Sequence, residues 1–223
     1  MLGSENGGIQ NGELVLNSPK AETVAEVMIA VDSIVSSNYE ASVSVKISRL
    51  ARDINGGAII GLRAHTNPLL KPLLKEGKRE GENKEWIQTL WYRQSYQFLL
   101  GNQEINIHDR RRGLAANIEH VEIDKRGIFH KRNLRAFRIF DFRLHKWYRL
   151  KVIAKGNQFQ CFIDDTEMLN FFDDTYTAGR IYLSSGLGNR VHFDDFEVQY
   201  EALAVQPRKK LTTTWGKIKS NFH

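Results

Sequence analysis

The sequence predicts an all-β protein built as a two-sheet antiparallel β-sandwich, and three observations carry that prediction. From Trp147 to Val198 the chain reads as successive strands separated by short polar turns, the spacing of a sandwich or barrel rather than of βαβ units. Tyr39, Ala41, Val43, Val45 and Ile47 alternate without a fault against Glu40, Ser42, Ser44, Lys46 and Ser48, which is the period of a strand with one buried face. The 223 residues, 41% hydrophobic and 10% aromatic, are enough for one large core.

Taken in order, residues 1–11 read as a flexible start, 12–201 as the sandwich and 202–223 as a tail. Gly12 to Leu16 is the first expected strand, and Tyr39 to Ser48 the clearest one in the N-terminal half. Asn55-Gly56-Gly57 turns the chain into Ala58 to His65, whose apolar residues occupy both phases, so that strand is expected at the centre of a sheet. Thr66 to Glu85 holds Pro68, Pro72 and the charged run Lys75 to Lys84, and reads as a long excursion. Strands are expected again at Trp86 to Arg93, Tyr96 to Leu100 and Glu104 to Asp109, with a turn at Gly101-Asn102 between the last two. Glu119 to Arg135 reads as a second charged excursion.

Within the C-terminal meander, Phe159, Cys161 and Ile163 share one phase and Gln158 and Gln160 the other. Lys155-Gly156-Asn157 supplies the positive-φ residues of a tight hairpin, and Asp164-Asp165-Thr166 a second turn. Arg180 to Ser185 and Val191 to Tyr200 complete the series. Leu211, Trp215 and Ile218 form a short basic amphipathic segment that is expected to pack back on the sandwich.

Bulk properties bound the function. There is no apolar run long enough to cross a bilayer as a helix. The single cysteine, Cys161, lies in phase with its apolar neighbours and reads as a small buried hydrophobe. A net charge of +6 and a pI near 9.4 invite a nucleic-acid partner. The basic groups fall at Arg110-Arg111-Arg112, at Arg126 with Lys131-Arg132, and at Arg208-Lys209-Lys210; no nucleic-acid motif surrounds them, and all are expected in solvated loops. The seven histidines show no zinc-ligand spacing.

Residue phases nominate two sites. Glu104, Asn106 and His108 project together if Ile105 and Ile107 face the core, and Arg63 and His65, out of phase with Ile60 and Leu62, are expected on that same side. Such a stripe suits hydrogen bonding to hydroxyl groups, with Trp91, Tyr92 and Tyr96 as candidates for stacking on a sugar ring. At Asp194-Asp195 the alternation slips between Phe193 and Phe196, so a β-bulge is expected to expose both carboxylates, oxygen ligands that suit a structural calcium ion.

The meander resembles the concanavalin A-like lectin/glucanase superfamily, especially laminin-G-like modules and the 3-keto-disaccharide hydrolase domain family. The resemblance rests on Trp147-Tyr148-Arg149-Leu150-Lys151-Val152, Gly156, Ile163-Asp164-Asp165, Gly179-Arg180-Ile181-Tyr182-Leu183 and Phe193-Asp194-Asp195-Phe196-Glu197-Val198, with Gly57 to Arg63 upstream. It implies a jelly roll whose concave sheet cups a carbohydrate, a lectin-like and non-catalytic role, an extracellular or periplasmic location, and a calcium ligand on the last strand. Glu104 to Asp109 is similar to a degenerate form of the E-I-D-I-x-E signature of retaining glucanases, which would make Glu104 and Asp109 the catalytic pair of a hydrolase. Asn106 replaces the middle aspartate there and weakens that reading. A structural or adhesion module using the basic loops is the third alternative.

Overall fold

The computed structural model describes residues 7–17, 25–29, 37–51, 56–65, 94–106, 109–124, 127–186 and 188–200. These form thirteen strands: β1 (Gly7–Gln10), β2 (Glu13–Asn17), β3 (Ala25–Ile29), β4 (Asn38–Arg49), β5 (Gly56–His65), β6 (Gln94–Asn106), β7 (Asp109–Asp124), β8 (Gly127–Ile139), β9 (Trp147–Lys155), β10 (Gln158–Ile163), β11 (Thr166–Phe172), β12 (Arg180–Ser185) and β13 (Arg190–Tyr200). They pair antiparallel in two sheets, one of seven strands in the order β1-β2-β13-β4-β9-β10-β11 and one of six in the order β3-β12-β5-β6-β7-β8. The predicted sandwich is the observed fold.

The two sheets share one core, because each strand turns one phase inward. Leu14 and Leu16 of β2, Val43 and Val45 of β4, Leu150 and Val152 of β9, and Phe159 and Cys161 of β10 meet Ile60, Phe98, Leu100 and Leu183 from the other sheet. Cys161 sits among them, where burial pushes its thiol well above the usual range, so it behaves as an inert hydrophobe. The two meander turns are as their residues require. Gly156 (φ 58°), then Asp164 and Asp165 (φ 48° and 63°), adopt the left-handed conformations of tight hairpins.

Four expectations are corrected. Gly101-Asn102 is no turn: β6 runs unbroken through it, and the chain reverses after Asn106 instead. Residues 119–124 and 127–135 are no loop but lie in the paired strands β7 and β8. Arg110, Arg111, Arg112, Lys131 and Arg132 therefore stand on strands. Gly7–Gln10, read as part of a flexible start, pairs with β2. The expected strand Trp86 to Arg93, Trp91, Tyr92, Arg126, His108 and the amphipathic segment with Leu211, Trp215 and Ile218 lie outside the described residues.

Candidate functional site

The outer face of the six-stranded sheet is where polar chemistry gathers. The register puts Tyr182 opposite Gly61, Gly61 opposite Gln97, and Gln97 opposite Asn117. One row across β12, β5, β6 and β7 thus carries a phenol, a bare backbone and two amides. The next row, Ser184, Ile59, Leu99 and Ala115, is mostly apolar, and with Tyr182 and Ala64 it forms a second cluster against which Leu134 and Phe137 pack.

The absence of a side chain at Gly61 shapes the floor. A Cβ there would run into the Tyr182 ring, so the ring lies over Gly61 and reaches toward β6. Its hydroxyl accepts a 2.6 Å hydrogen bond from Gln97 Nε2 and lies 3.2 Å from Ser95 Oγ. Gln97, Ser95, Asn117 and Tyr182 are each no more than 1% exposed.

The face is strongly bent. Asn117 stands opposite Gln97, and six residues of flat strand would put Gln103 about 20 Å further along. Yet Asn117 Nδ2 donates a 3.1 Å hydrogen bond to Gln103 Oε1. Between them the register aligns Gly57, Gly101 and Gly113 across three strands. A Cβ at Gly101 would collide with the Gly56 carbonyl oxygen, and one at Gly113 with that of Arg138. The glycine row is the line along which the sheet folds over its own outer face, making that face concave.

Two charged groups border the polar row. Glu119, fully buried, is ion-paired with Arg132 from the neighbouring strand, so the floor as a whole carries no net charge from this pair. Asn117 Oδ1 is buried and has no hydrogen-bond partner. A buried acceptor left unpaired costs about 1–3 kcal/mol.

The residues nominated from the sequence fall elsewhere. Arg63 has φ 51°, and the register shifts between Leu62 and His65. This turns the side chain into the core rather than toward an outer face. Its guanidinium donates to the carbonyls of Tyr176 (2.8 Å), Ser37 (2.9 Å) and Gly156 (2.6 Å) and lies 4.6 Å over the Phe159 ring. At 1% exposure it is out of reach of a ligand on either outer face. His65 is exposed and its ring lies 5.6 Å from Tyr176.

Tyr96 also points inward. It donates a 2.7 Å hydrogen bond to Asp173 Oδ1 and accepts one from the Tyr176 backbone N–H. Burial would raise the Asp173 carboxyl, but the Tyr96 and Thr175 bonds outweigh it and hold it below the usual value.

Glu104 shares the phase of the core residues Phe98 and Leu100, and Ile105 is a bulged residue, since Glu104 faces Arg110 while Asn106 faces Asp109. That bulge breaks the alternation on which the expected stripe rested, the Asn106 side chain lies outside the described residues, and Ile105, expected in the core, is exposed. Glu104 is ion-paired with Arg110 at 3.0 Å and Asp109 with Arg111 at 2.6 Å.

The phase slip at Asp194-Asp195 is a bulge, as expected: Asp194 faces Ser44 while Glu197 faces Ser42, and Asp195 has φ 48°. It lets both Phe193 and Phe196 enter the core. The bulge is capped by a guanidinium, Arg149 Nη1, which donates to the Asp195 carbonyl at 2.6 Å. Among the described residues no cluster of three or more His, Cys, Asp or Glu is placed to hold a metal ion.

A separate cavity of 580 Å³ opens beside Phe140, Tyr148, Ile163 and Met168 at one end of the seven-stranded sheet. It shares no lining residue with the concave face, and the convergent amides lie on the latter.

No protein-family model matches the chain, and no curated protein matches it by sequence. Solved structures do match in fold. The carbohydrate binding module CBM66 from Bacillus subtilis superposes with a TM-score of 0.55 at 11% identity, over 86% of this chain and 89% of that one. The exoplasmic/lumenal domain of VIP36, in a Ca2+/Man-bound form, gives 0.57 at 10% identity over 94% and 85%. The carbohydrate recognition domain of Emp46p, in a potassium-bound form, gives 0.54 at 11% identity over 86% and 84%. At these identities the likeness is one of fold: this chain shares the two-sheet β-sandwich of those proteins.

Proposed function

We propose that the chain is a lectin-like carbohydrate-binding module of the concanavalin A-like kind, and that it holds a neutral glycan against the concave face of the six-stranded sheet. The observation that carries this reading is the Tyr182 ring lying over Gly61 in one row with Gln97 and Asn117. The Tyr182 ring, 1% exposed, shapes the floor of that face from beneath rather than touching the sugar. Gln97 and Asn117 bond Tyr182 and Gln103 and hold that floor in shape.

The fold shared with CBM66 and with the VIP36 and Emp46p domains supports the reading without supplying the ligand. A hydrolase built on Glu104 and Asp109 is disfavoured, because each carboxylate is neutralised by its own arginine instead of facing the other across a cleft. An extracellular or periplasmic setting, where free glycans are met, goes with the binding role.

Calcium at Asp194-Asp195 fits poorly. The Arg149 guanidinium, which donates to Ser42 Oγ as well as to the Asp195 carbonyl, already brings positive charge to the bulge. A calcium titration followed by thermal unfolding is expected to leave the midpoint unchanged. Glycan-array binding followed by calorimetry tests the proposal itself: the intact chain binds a neutral glycan, and Asn117→Ala weakens that binding at least about tenfold. Failure of the intact chain to bind any neutral glycan overturns it.

A further inference from the structure

The outer face of the seven-stranded sheet carries a second constellation, independent of the concave face. His192 on β13 lies between two partners: its Nδ1 is 2.7 Å from Glu13 Oε2, and its Nε2 is 3.0 Å from Ser48 Oγ. Glu13 comes from β2 and Ser48 from β4, so three strands converge on one imidazole. A hydroxyl on one ring nitrogen and a carboxylate on the other is the geometry by which a base activates a nucleophile while the carboxylate fixes the tautomer.

Two further observations point the same way. Ser48 is itself a bulged residue, since Val191 faces Ile47 while Arg190 faces Arg49, and bulges re-aim side chains beside reactive sites. Arg190, on the same strand and in the same phase as His192, has a buried Nε with no hydrogen-bond partner, and its carbonyl lies 3.3 Å from Ser48 Oγ. Its guanidinium, held by Gln10 Oε1 at 3.0 Å through Nη2, adds positive charge felt at His192. Lys46 bonds both Glu13 oxygens at 3.1 Å and lies 4.3 Å over the Trp147 ring, adding positive charge and an apolar wall to the patch.

We propose that Ser48 is a base-activated nucleophile and that this face is an acyl-transfer site for small carboxylic esters. The half-buried, open position of Ser48 and His192 suits a short acyl group rather than a long chain. As Ser48 Oγ adds to the ester carbonyl carbon, its proton passes to His192 Nε2 and the carbonyl electron pair moves to oxygen beside Arg190. Collapse expels the alcohol, which takes the proton from His192 and leaves the acyl group on Ser48. Water, deprotonated by His192, then attacks the acyl carbon and releases the carboxylic acid, returning the proton to Ser48.

Burial lowers the pKa of His192, and the Lys46 and Arg190 charges act in the same direction, against the Glu13 bond that raises it. The imidazole is therefore a free base at neutral pH. Burial would raise Glu13, but its bonds to Lys46 and His192 keep it ionised.

A fluorophosphonate probe read by mass spectrometry tests the proposal on the full chain. The probe is expected to label Ser48 at a rate that rises with pH to a plateau, with its midpoint below the ordinary histidine value. Ser48→Ala removes the label, and His192→Gln slows it about a hundredfold, with circular dichroism showing both variants folded. Hydrolysis of p-nitrophenyl acetate should follow the same order. Wild-type protein unlabelled at Ser48, or labelling indifferent to His192→Gln, overturns the proposal. Neither result bears on glycan binding at the concave face.

Discussion

The two outer faces of the sandwich are made by the same chain and the same strand period, yet they select opposite chemistry. On the concave face of the six-stranded sheet the polar groups are mostly amides and hydroxyls, almost wholly buried and bonded to one another, and Glu119 appears there with Arg132 against it. On the seven-stranded sheet the outward positions are charged and partly exposed: Lys46 with Glu13, Lys151 with Asp165, Arg149 near Glu197. Enclosure explains the difference. A buried charge must be paired and a buried polar group bonded, whereas an open face tolerates ion pairs that contribute little.

The largest expected effect comes from the group that ties the two sheets together. Arg63→Ala removes a buried guanidinium that bonds the buried Tyr176 carbonyl and the part-buried ones of Ser37 and Gly156, and the lost packing plus the orphaned Tyr176 carbonyl predict a loss of roughly 3 kcal/mol in urea unfolding. Breaking the concave face alone takes a smaller change. Gly101→Val drives a side chain into the Gly56 carbonyl at the fold line, for which a loss of about 1–3 kcal/mol is expected, together with loss of glycan binding.

Acid should sharpen the contrast on the charged side. Glu13, Asp173 and His192 all have native pKa values below their ordinary ones of 4.5, 3.8 and 6.5, so the unfolded chain binds protons first. Their stabilisation is complete above the ordinary value of each and is lost as pH falls through the native one. The unfolding midpoint is expected to fall from below about pH 6.5, through the histidine, and again below about pH 4.5, through the carboxyls. His192→Gln should remove the upper part of that decline and leave the lower. The smallest effect is predicted for Lys151→Ala, which breaks a pair whose Asp165 is 84% exposed; its unfolding midpoint in urea should barely move.

Much of the fold was legible, because local signals decide it. Strands β9 and β10 follow from alternation and from Gly156 and Asp164-Asp165, which can take positive φ. Even the bulge at Asp194-Asp195 was readable as a slip in phase between two aromatics. The concave site was not, for a physical reason. Tyr182, Gly61, Gln97 and Asn117 are neighbours only through the register of four strands, and no local pattern states that register. Gln97 reads as an ordinary polar alternation, and Gly101 imitates a turn because a glycine that permits close strand approach and one that reverses a chain look alike in sequence. Arg63 misled because a single positive φ inverted its side. The recurrence of glycines at Gly57, Gly101 and Gly113 on strands otherwise rich in apolar residues was the available signal of a bent sheet.

The central claim is that the concave face, and not the charged one, binds a neutral glycan, and calorimetry with paired variants measures it most directly. Once the array has identified a binding glycan, Tyr182→Ala, which removes the ring over Gly61, is predicted to abolish measurable binding, while Lys151→Ala on the opposite sheet leaves the affinity within about twofold. Unchanged affinity in a folded Tyr182→Ala protein would contradict the account.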